Sequence, residues 1–292
     1  MNEAIARFWI RLIRRTAGWT AAARLRLAAA IGLLAWLAVV PRRRITAANL
    51  RACFPQLSAA QRGRIARALF RNVARGALDY GILWSATREQ TQQFVRVEGI
   101  EHLRNPANRP LILLAPHFVG LDAGGMRIAT EYRVVSIYAR QSNPVWDHEL
   151  RAGRARFNEP VLIARRGFDL RSALRAMREG LPFYYLPDMD NGDANSIFVP
   201  FFGVTAATLP MVARLARSIQ ARVVMAVTEQ VPDGYVLHLE APWEDFPGPS
   251  IEADTARMNR EIERWVRRMP DQYLWTHRRF KTRPPGAARI YD

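Results

Sequence analysis

The chemistry-bearing residues of this 292-residue chain cluster at two places. The first is LLAPHFVGLDAGG (113–125), where His117 is followed after four intervening residues by Asp122, an H-x4-D spacing. The apolar run that ends at Pro116 reads as a buried strand, so His117 falls just past a strand end, the rim on which α/β sheets hold their ligands. A carboxylate in the next turn or helix can reach back to one imidazole nitrogen. It would fix the tautomer and raise the basicity of the other nitrogen, which suits a histidine to take a proton from an alcohol. The bare spacing also fits a structural contact at a strand end. Gly120, Ala123, Gly124 and Gly125 leave room for a bulky substrate and favour the catalytic reading.

The second place is PDMDNGD (187–193), which groups Asp188, Asp190 and Asp193 after another strand-like run. It lacks the downstream glutamate of an EF-hand, so these carboxylates read as holders of an arginine or a substrate hydroxyl rather than as a cation loop. Neither G-x-S-x-G nor a P-loop occurs, which removes the signals for covalent-serine and nucleotide-triphosphate chemistry. The single cysteine, Cys53, has no histidine near it and reads as packing. It excludes a disulfide framework and a thiolate zinc site, and fits a reducing compartment.

Such residues need a scaffold, and beyond residue 95 short apolar runs alternate with helical segments, the pattern of an α/β domain. Strands are predicted at 111–115, 134–138, 182–186, 223–227 and 235–239, and helices at 144–157, 169–179, 209–220 and 252–269. A basic, aromatic stretch, QYLWTHRRFK (272–281), is too aromatic for a solvated tail. No linker composition appears, so the expected organisation is an N-terminal membrane-anchoring or interfacial helix over 1–45 and one domain over 46–292.

The charge balance names the partners. Forty-three basic against 26 acidic residues give +17, and every basic residue but Lys281 is arginine, which implies nucleic acid, anionic lipid or an acidic protein. Residues 1–80 hold 15 of the arginines and only two acids, Glu3 and Asp79. The uncharged run 27–40 (LAAAIGLLAWLAVV) is 14 residues long, short of the roughly 20 that cross a bilayer. Taken back to residue 17 it is long enough, with Arg24 and Arg26 near its end and able to snorkel. PRRR follows it instead of a cleavage site, so a retained anchor is expected, with a buried core helix as the alternative. Residues 58–84 read as a basic amphipathic helix with Ser58 as N-cap, apolar Ile65, Leu69, Val73 and Leu78 opposing Arg62, Arg64, Arg67, Arg71 and Arg75. Alone this is a solvated face on a core helix; beside the apolar run it gains a membrane-surface reading. No DNA- or RNA-binding motif accompanies the arginines, so no nucleic-acid partner is expected.

Several stretches, in order and nearly end to end, resemble the bacterial lipid A late acyltransferases of the lauroyl/myristoyl type, within the lysophospholipid acyltransferase superfamily. They are PRRRITAANLRACFP (41–55), APHFVGLD (115–122), NPVWDHELRAGRARFN (143–158), YYLPDMDNGDANSIFVPFFGVTAATL (184–209) and DQYLWTHRRFKTRPPG (271–286). The resemblance implies a glycerolipid-acyltransferase-like α/β domain with a mixed central sheet flanked by helices, behind the basic, apolar arm. It further implies a Gram-negative enzyme at the cytoplasmic face of the inner membrane. That enzyme moves a fatty acyl chain from acyl carrier protein to a hydroxyacyl chain of a Kdo-bearing lipid A precursor. Its partners would be acyl carrier protein, a phosphorylated glycolipid acceptor and membrane lipids.

Carried over by position, the resemblance makes His117 the general base and Asp122 its orienting carboxylate, and marks Arg154 and Asp188 as required polar residues. Arg140, Arg278 and Arg279 fall near lipid phosphate or sugar acid. Many members have glutamate where this chain has Asp122, although the wider superfamily uses aspartate there. A thioester donor calls for no metal or cofactor, only a base and oxyanion donors, for which backbone amides and Arg154 are candidates. The aromatic clusters 183–185 and 198–202 read as walls of an acyl slot or as strand core. The alternative reading keeps the chemistry and changes the acceptor to another glycolipid or a lysophospholipid.

Overall fold

The computed structural model describes residues 2–165, 169–192 and 194–291; Asp193, the third carboxylate of the 187–193 segment, lies outside the described residues. The strands are β1 (Val95–Glu98), β2 (Leu111–Leu114), β3 (Val135–Tyr138), β4 (Val161–Ala164), β5 (Phe183–Tyr185), β6 (Ile197–Phe201), β7 (Val204–Thr208), β8 (Arg222–Val231) and β9 (Gly234–Leu239). Seven of them form one sheet in the order β1-β9-β8-β2-β5-β3-β4, and β6 and β7 pair as a separate hairpin. The sheet is mixed, as expected: β8 and β9 are antiparallel and the other neighbours parallel.

All four residues of β2 (LILL) are buried because the strand lies between parallel neighbours and both of its faces are covered. Ile112 and Leu114 point into one core with Phe183, Tyr185, Val223 and Met225, while Leu111 and Leu113 enter the other with Tyr184 and Val224. Each such side chain contributes about 2 kcal/mol by leaving water.

The helices are α1 (Glu3–Arg15), α2 (Ala21–Ala38), α3 (Val40–Cys53), α4 (Ala59–Leu83), α5 (Arg88–Phe94), α6 (Ile100–Arg104), α7 (Leu121–Ala129), α8 (Pro144–Arg154), α9 (Leu170–Arg178), α10 (Met211–Ile219) and α11 (Ile251–Arg268). The predicted strands and helices of the sheet domain are present, most shifted or trimmed by a few residues, whereas β8 extends to ten residues from the five predicted. β1, β4, α5, α6, α7 and the hairpin are additions to the sequence reading, being short or half-exposed segments with little periodicity.

α4 begins where predicted, with Ser58 and Gln61 exchanging a full capping box. α1, α2 and α3 all pack on it. α2 passes the length and hydropathy criteria for a membrane span and only 11% of it is buried, so it is not the core helix considered as the alternative. Leu33, Leu34 and Leu37 are exposed on it, Leu34 by 65%. Arg24 departs from the snorkelling expectation: its guanidinium turns inward, donating to the Trp19 carbonyl and pairing at 3.5 Å with buried Asp79 on α4. Residue 45 falls inside α3, whose Asn49, Leu50 and Cys53 are buried. Cys53 is packing, as the sequence indicated, and burial pushes its thiol far up.

Candidate active site

β2 and β5 are parallel neighbours in a register that pairs Leu114 with Tyr185. Three residues beyond each partner lie His117 and Asp188, so the two leave the sheet side by side at its carboxyl edge. The Asp188 carboxylate accepts the His117 backbone N–H at 3.0 and 3.3 Å and lies 2.7 Å from Nδ1 of the ring. Burial by itself would raise the Asp188 carboxyl, but the imidazole and its N–H groups hold it down, to about 2. This arrangement corrects the pairing expected from the spacing: the carboxylate on the imidazole is Asp188, 71 residues away, and not Asp122.

Asp122 sits in the first turn of α7 and turns from His117 towards α8 and α4. Its Oδ1 accepts from Nη2 and Nε of Arg154 at 2.7 and 3.1 Å, and its Oδ2 from the Tyr80 hydroxyl. The reason is the packing of the three helices. Tyr80 stacks on Trp84, the residue that caps the C-terminus of α4. A Cβ on Gly153 would sit 2.5 Å from the Trp84 ring, so only glycine lets α8 pass this close and deliver Arg154 to Asp122. The Arg154 guanidinium also lies over the Tyr138 ring. Desolvation would favour its neutral form, but the Asp122 carboxylate outweighs this and holds the charge. Next to Asp122, burial pushes the Tyr80 hydroxyl well up, so it remains a proton donor.

His117, Asp122 and Arg154 face one open cavity of about 1070 Å³, which continues past Tyr185, Asp190, Met211, Arg214, His277 and Lys281. A second recess of about 70 Å³, lined by Gly125, Met126, Ala129, Leu162, Tyr184 and Leu186, opens beside Asp122 and Arg154 and is mostly apolar. Of the two aromatic clusters considered as slot walls, only Tyr184 lines this recess. Phe183, Tyr185, Phe201 and Phe202 are core.

The 272–281 stretch is ordered against the site. Leu274 N–H donates to the His117 carbonyl and Val119 N–H to that of Gln272, while Asn49 of α3 holds the carbonyls of Trp275 and His277 at 2.7 Å each. This brings the His277 ring to 5.4 Å from that of His117, edge to face. Burial, then the charge of His117, push His277 down to about 4.

The remaining sequence candidates scatter. Arg279 is 2% exposed and donates to the Ala207 carbonyl and Thr208 hydroxyl, so it ties the final stretch to the hairpin instead of facing lipid. Arg278 is exposed over Tyr291, and Arg140 is exposed between the cavity-lining Ala139 and Gln141. Asp190 accepts from the N–H and hydroxyl of Thr282. Sequence reasoning missed Tyr80 and His277. Tyr80 lay in a helix read for its cap and its opposing apolar and basic faces; His277 lay in a stretch noted for its aromatics and arginines.

Compared with known proteins, residues 6–282 match the family model for bacterial lipid A biosynthesis acyltransferase. The chain is 33% identical over 271 residues to the lipid A biosynthesis lauroyltransferase of Escherichia coli K12, covering 91% of this chain and 88% of the relative. It is 32% identical to the palmitoleoyltransferase (89% and 86% covered) and 30% identical to the myristoyltransferase (85% and 78%) of that strain. A solved structure, the 1-acyl-sn-glycerophosphate acyltransferase PlsC of Thermotoga maritima, aligns over 87% of this chain and 99% of its own with a TM-score of 0.39 and 15% identity.

Proposed function

The chain belongs to the bacterial lipid A biosynthesis acyltransferase family and is an acyltransferase; on that premise we propose that it moves a fatty acyl chain from an acyl carrier protein thioester to a hydroxyl of a hydroxyacyl chain on a Kdo-bearing lipid A precursor. The observation that carries this reading is His117, held at Nδ1 by Asp188 in the wall of a large cavity that adjoins an apolar recess. Among the described residues Nε2 has no hydrogen-bond partner, so it is the nitrogen available to an acceptor hydroxyl.

His117 takes the hydroxyl proton as the oxygen attacks the thioester carbonyl. The tetrahedral intermediate then expels the carrier thiolate, which recovers the proton from the imidazolium. Asp188 fixes the tautomer and stabilises that imidazolium. Arg154 spends Nε and Nη2 on Asp122 and keeps Nη1 for the developing oxyanion. Asp122 thus orients the guanidinium, and Tyr80 orients Asp122. The first carbons of the fatty chain enter the apolar recess, and Arg140 and Arg278 meet phosphate or sugar acid of the acceptor. No metal or cofactor takes part. α2 holds the enzyme in the inner membrane with the site at the cytoplasmic face, and the net charge of +17 favours both an acidic carrier protein and a phosphorylated acceptor.

The test is mass spectrometry of a Kdo-bearing tetra-acylated precursor incubated with detergent-solubilised protein and a panel of acyl carrier protein thioesters, with His117→Ala alongside. Gain of one acyl chain with wild type alone is expected. Acylation of a lysophospholipid in place of this acceptor would overturn the choice of substrate, and wild-type turnover by His117→Ala would overturn the mechanism.

A further inference from the structure

The five arginines of α4 divide into two groups. Arg62 donates to the Phe54 carbonyl, and Arg75 to Asp79 and to the carbonyls of Val231 and Gly234, so both serve the protein itself. Arg64, Arg67 and Arg71 are exposed and, among the described residues, make no ion pair and no side-chain hydrogen bond. Their i, i+3, i+7 spacing puts them in one row.

That row is one wall of a groove of about 280 Å³ whose other wall is α2, through Gly32, Leu33 and Trp36; no acidic residue lines it. The groove is built by close helix packing. A Cβ on Gly32 would lie 2.6 Å from Arg71 Cα, so the two backbones touch there. Trp36 packs edge-to-face on Phe70 with Arg43 over its ring, which fixes the apolar wall. Three unneutralised guanidiniums therefore stand beside an exposed apolar helix, a pairing of chemistries that matches one kind of ligand, a phosphate attached to a hydrocarbon chain.

We propose that this groove holds the phosphate of an anionic bilayer phospholipid, with an acyl chain of that lipid lying along α2. The site lies on the arm, uses none of the residues assigned to catalysis, and sets the depth and tilt at which the enzyme sits in the bilayer. An acidic protein would complement the arginines but would have no use for the Leu33 and Trp36 wall. The proposal rests on reading α2 as membrane-embedded, and the experiment separates the two.

Full-length protein in detergent is titrated with phosphatidylglycerol, phosphatidylcholine, inorganic phosphate and acyl carrier protein, and bound lipid is counted by native mass spectrometry. Wild type is expected to hold one phosphatidylglycerol in preference to phosphatidylcholine, with inorganic phosphate failing to displace it. Each arginine near an anionic headgroup strengthens binding roughly fivefold, so Arg64→Gln/Arg67→Gln/Arg71→Gln is expected to weaken it about 100-fold. The triple lysine variant keeps most of the affinity and shows that the helix pair still folds. The proposal is overturned if the glutamine variant binds like wild type, or if Arg171→Gln/Arg175→Gln/Arg178→Gln on α9 loses as much, because the effect is then net charge. It is equally overturned if inorganic phosphate or acyl carrier protein displaces the lipid. Flotation with pure phosphatidylcholine vesicles checks α2 alone. Failure to float rejects the membrane reading, whereas flotation with a flat phosphatidylglycerol titration rejects only the groove.

Discussion

Asp188 holds His117 by both its backbone and its ring, accepting the N–H at 3.0 Å and lying 2.7 Å from Nδ1, so one buried carboxylate fixes both the position and the tautomer of the imidazole. Asp188→Asn can still accept the backbone N–H but cannot stabilise an imidazolium. It is expected to lower kcat by roughly 10²–10⁴-fold with little change in KM. In a His117→Ala background the same substitution should cost almost nothing more, because the two act as one unit. Steady-state kinetics of the two single variants and the double variant checks this; additive losses would reject it.

Asp122 and Arg154 form a second unit, with side chains 20% and 28% exposed. Asp122→Ala leaves the guanidinium without its anion and is expected to lower stability by about 2 kcal/mol. Tyr80→Phe removes one hydrogen bond, about 1 kcal/mol. In a double-mutant cycle by thermal unfolding, Asp122→Ala and Arg154→Gln should couple, the pair costing less than the sum.

Gly124 of α7 faces Thr228 of β8 so closely that an added Cβ would run into the threonine hydroxyl. Gly124→Ala is expected to cost about 2 kcal/mol and to displace the helix that carries Asp122, lowering activity as well. Thr228→Ala removes the obstructing atom, so the double variant should recover most of the loss in both unfolding and turnover.

Two groups make the fold acid-sensitive in the same direction. His277 titrates at about 4 in the folded chain against an ordinary 6.5, so protonation favours unfolding and stability falls as pH drops from about 6.5 to about 4. Asp188, held at about 2 against 3.8, contributes stability above pH 3.8 that is lost as pH falls towards 2. His277→Gln should flatten the upper window, worth roughly 3 kcal/mol, and leave the lower one. Thermal unfolding in detergent from pH 7 to 2 measures both; an unchanged upper window in the variant would reject the assignment.

Ala129 lines the apolar recess next to Gly125 and Leu162. Ala129→Leu shortens the space, and the expected result is a shift towards shorter acyl donors by about 1–3 kcal/mol in kcat/KM. Competition between two donor thioesters, read by product mass, reports the ratio directly.

Much of this molecule was legible in the chain. The run LILLA was buried on both faces, hence a central strand, and His117 followed it onto the rim. Ser58 marked the start of α4 as its N-cap, a local rule of capping. The charge-free stretch before PRRR marked an apolar helix that the fold leaves uncovered. These signals depend on residues within a few positions of each other, which is why periodicity and spacing reveal them.

The tertiary structure decided which of those elements are neighbours. Only four intervening residues separate Asp122 from His117 along the chain, but the strand order sets β5 beside β2 and puts Asp188 on the ring. α7 then turns Asp122 towards Arg154, delivered by the tight passage of α8 over Trp84. The last stretch likewise carries His277 to His117 only because it pairs with residues 117–119 and is held by Asn49. Sequence by itself determined most of the elements, the place of His117 past a strand end and the charge, since each is set by local chemistry. The carboxylate that holds the His117 ring was decided by sheet order and helix packing, which bring together residues 71 positions apart.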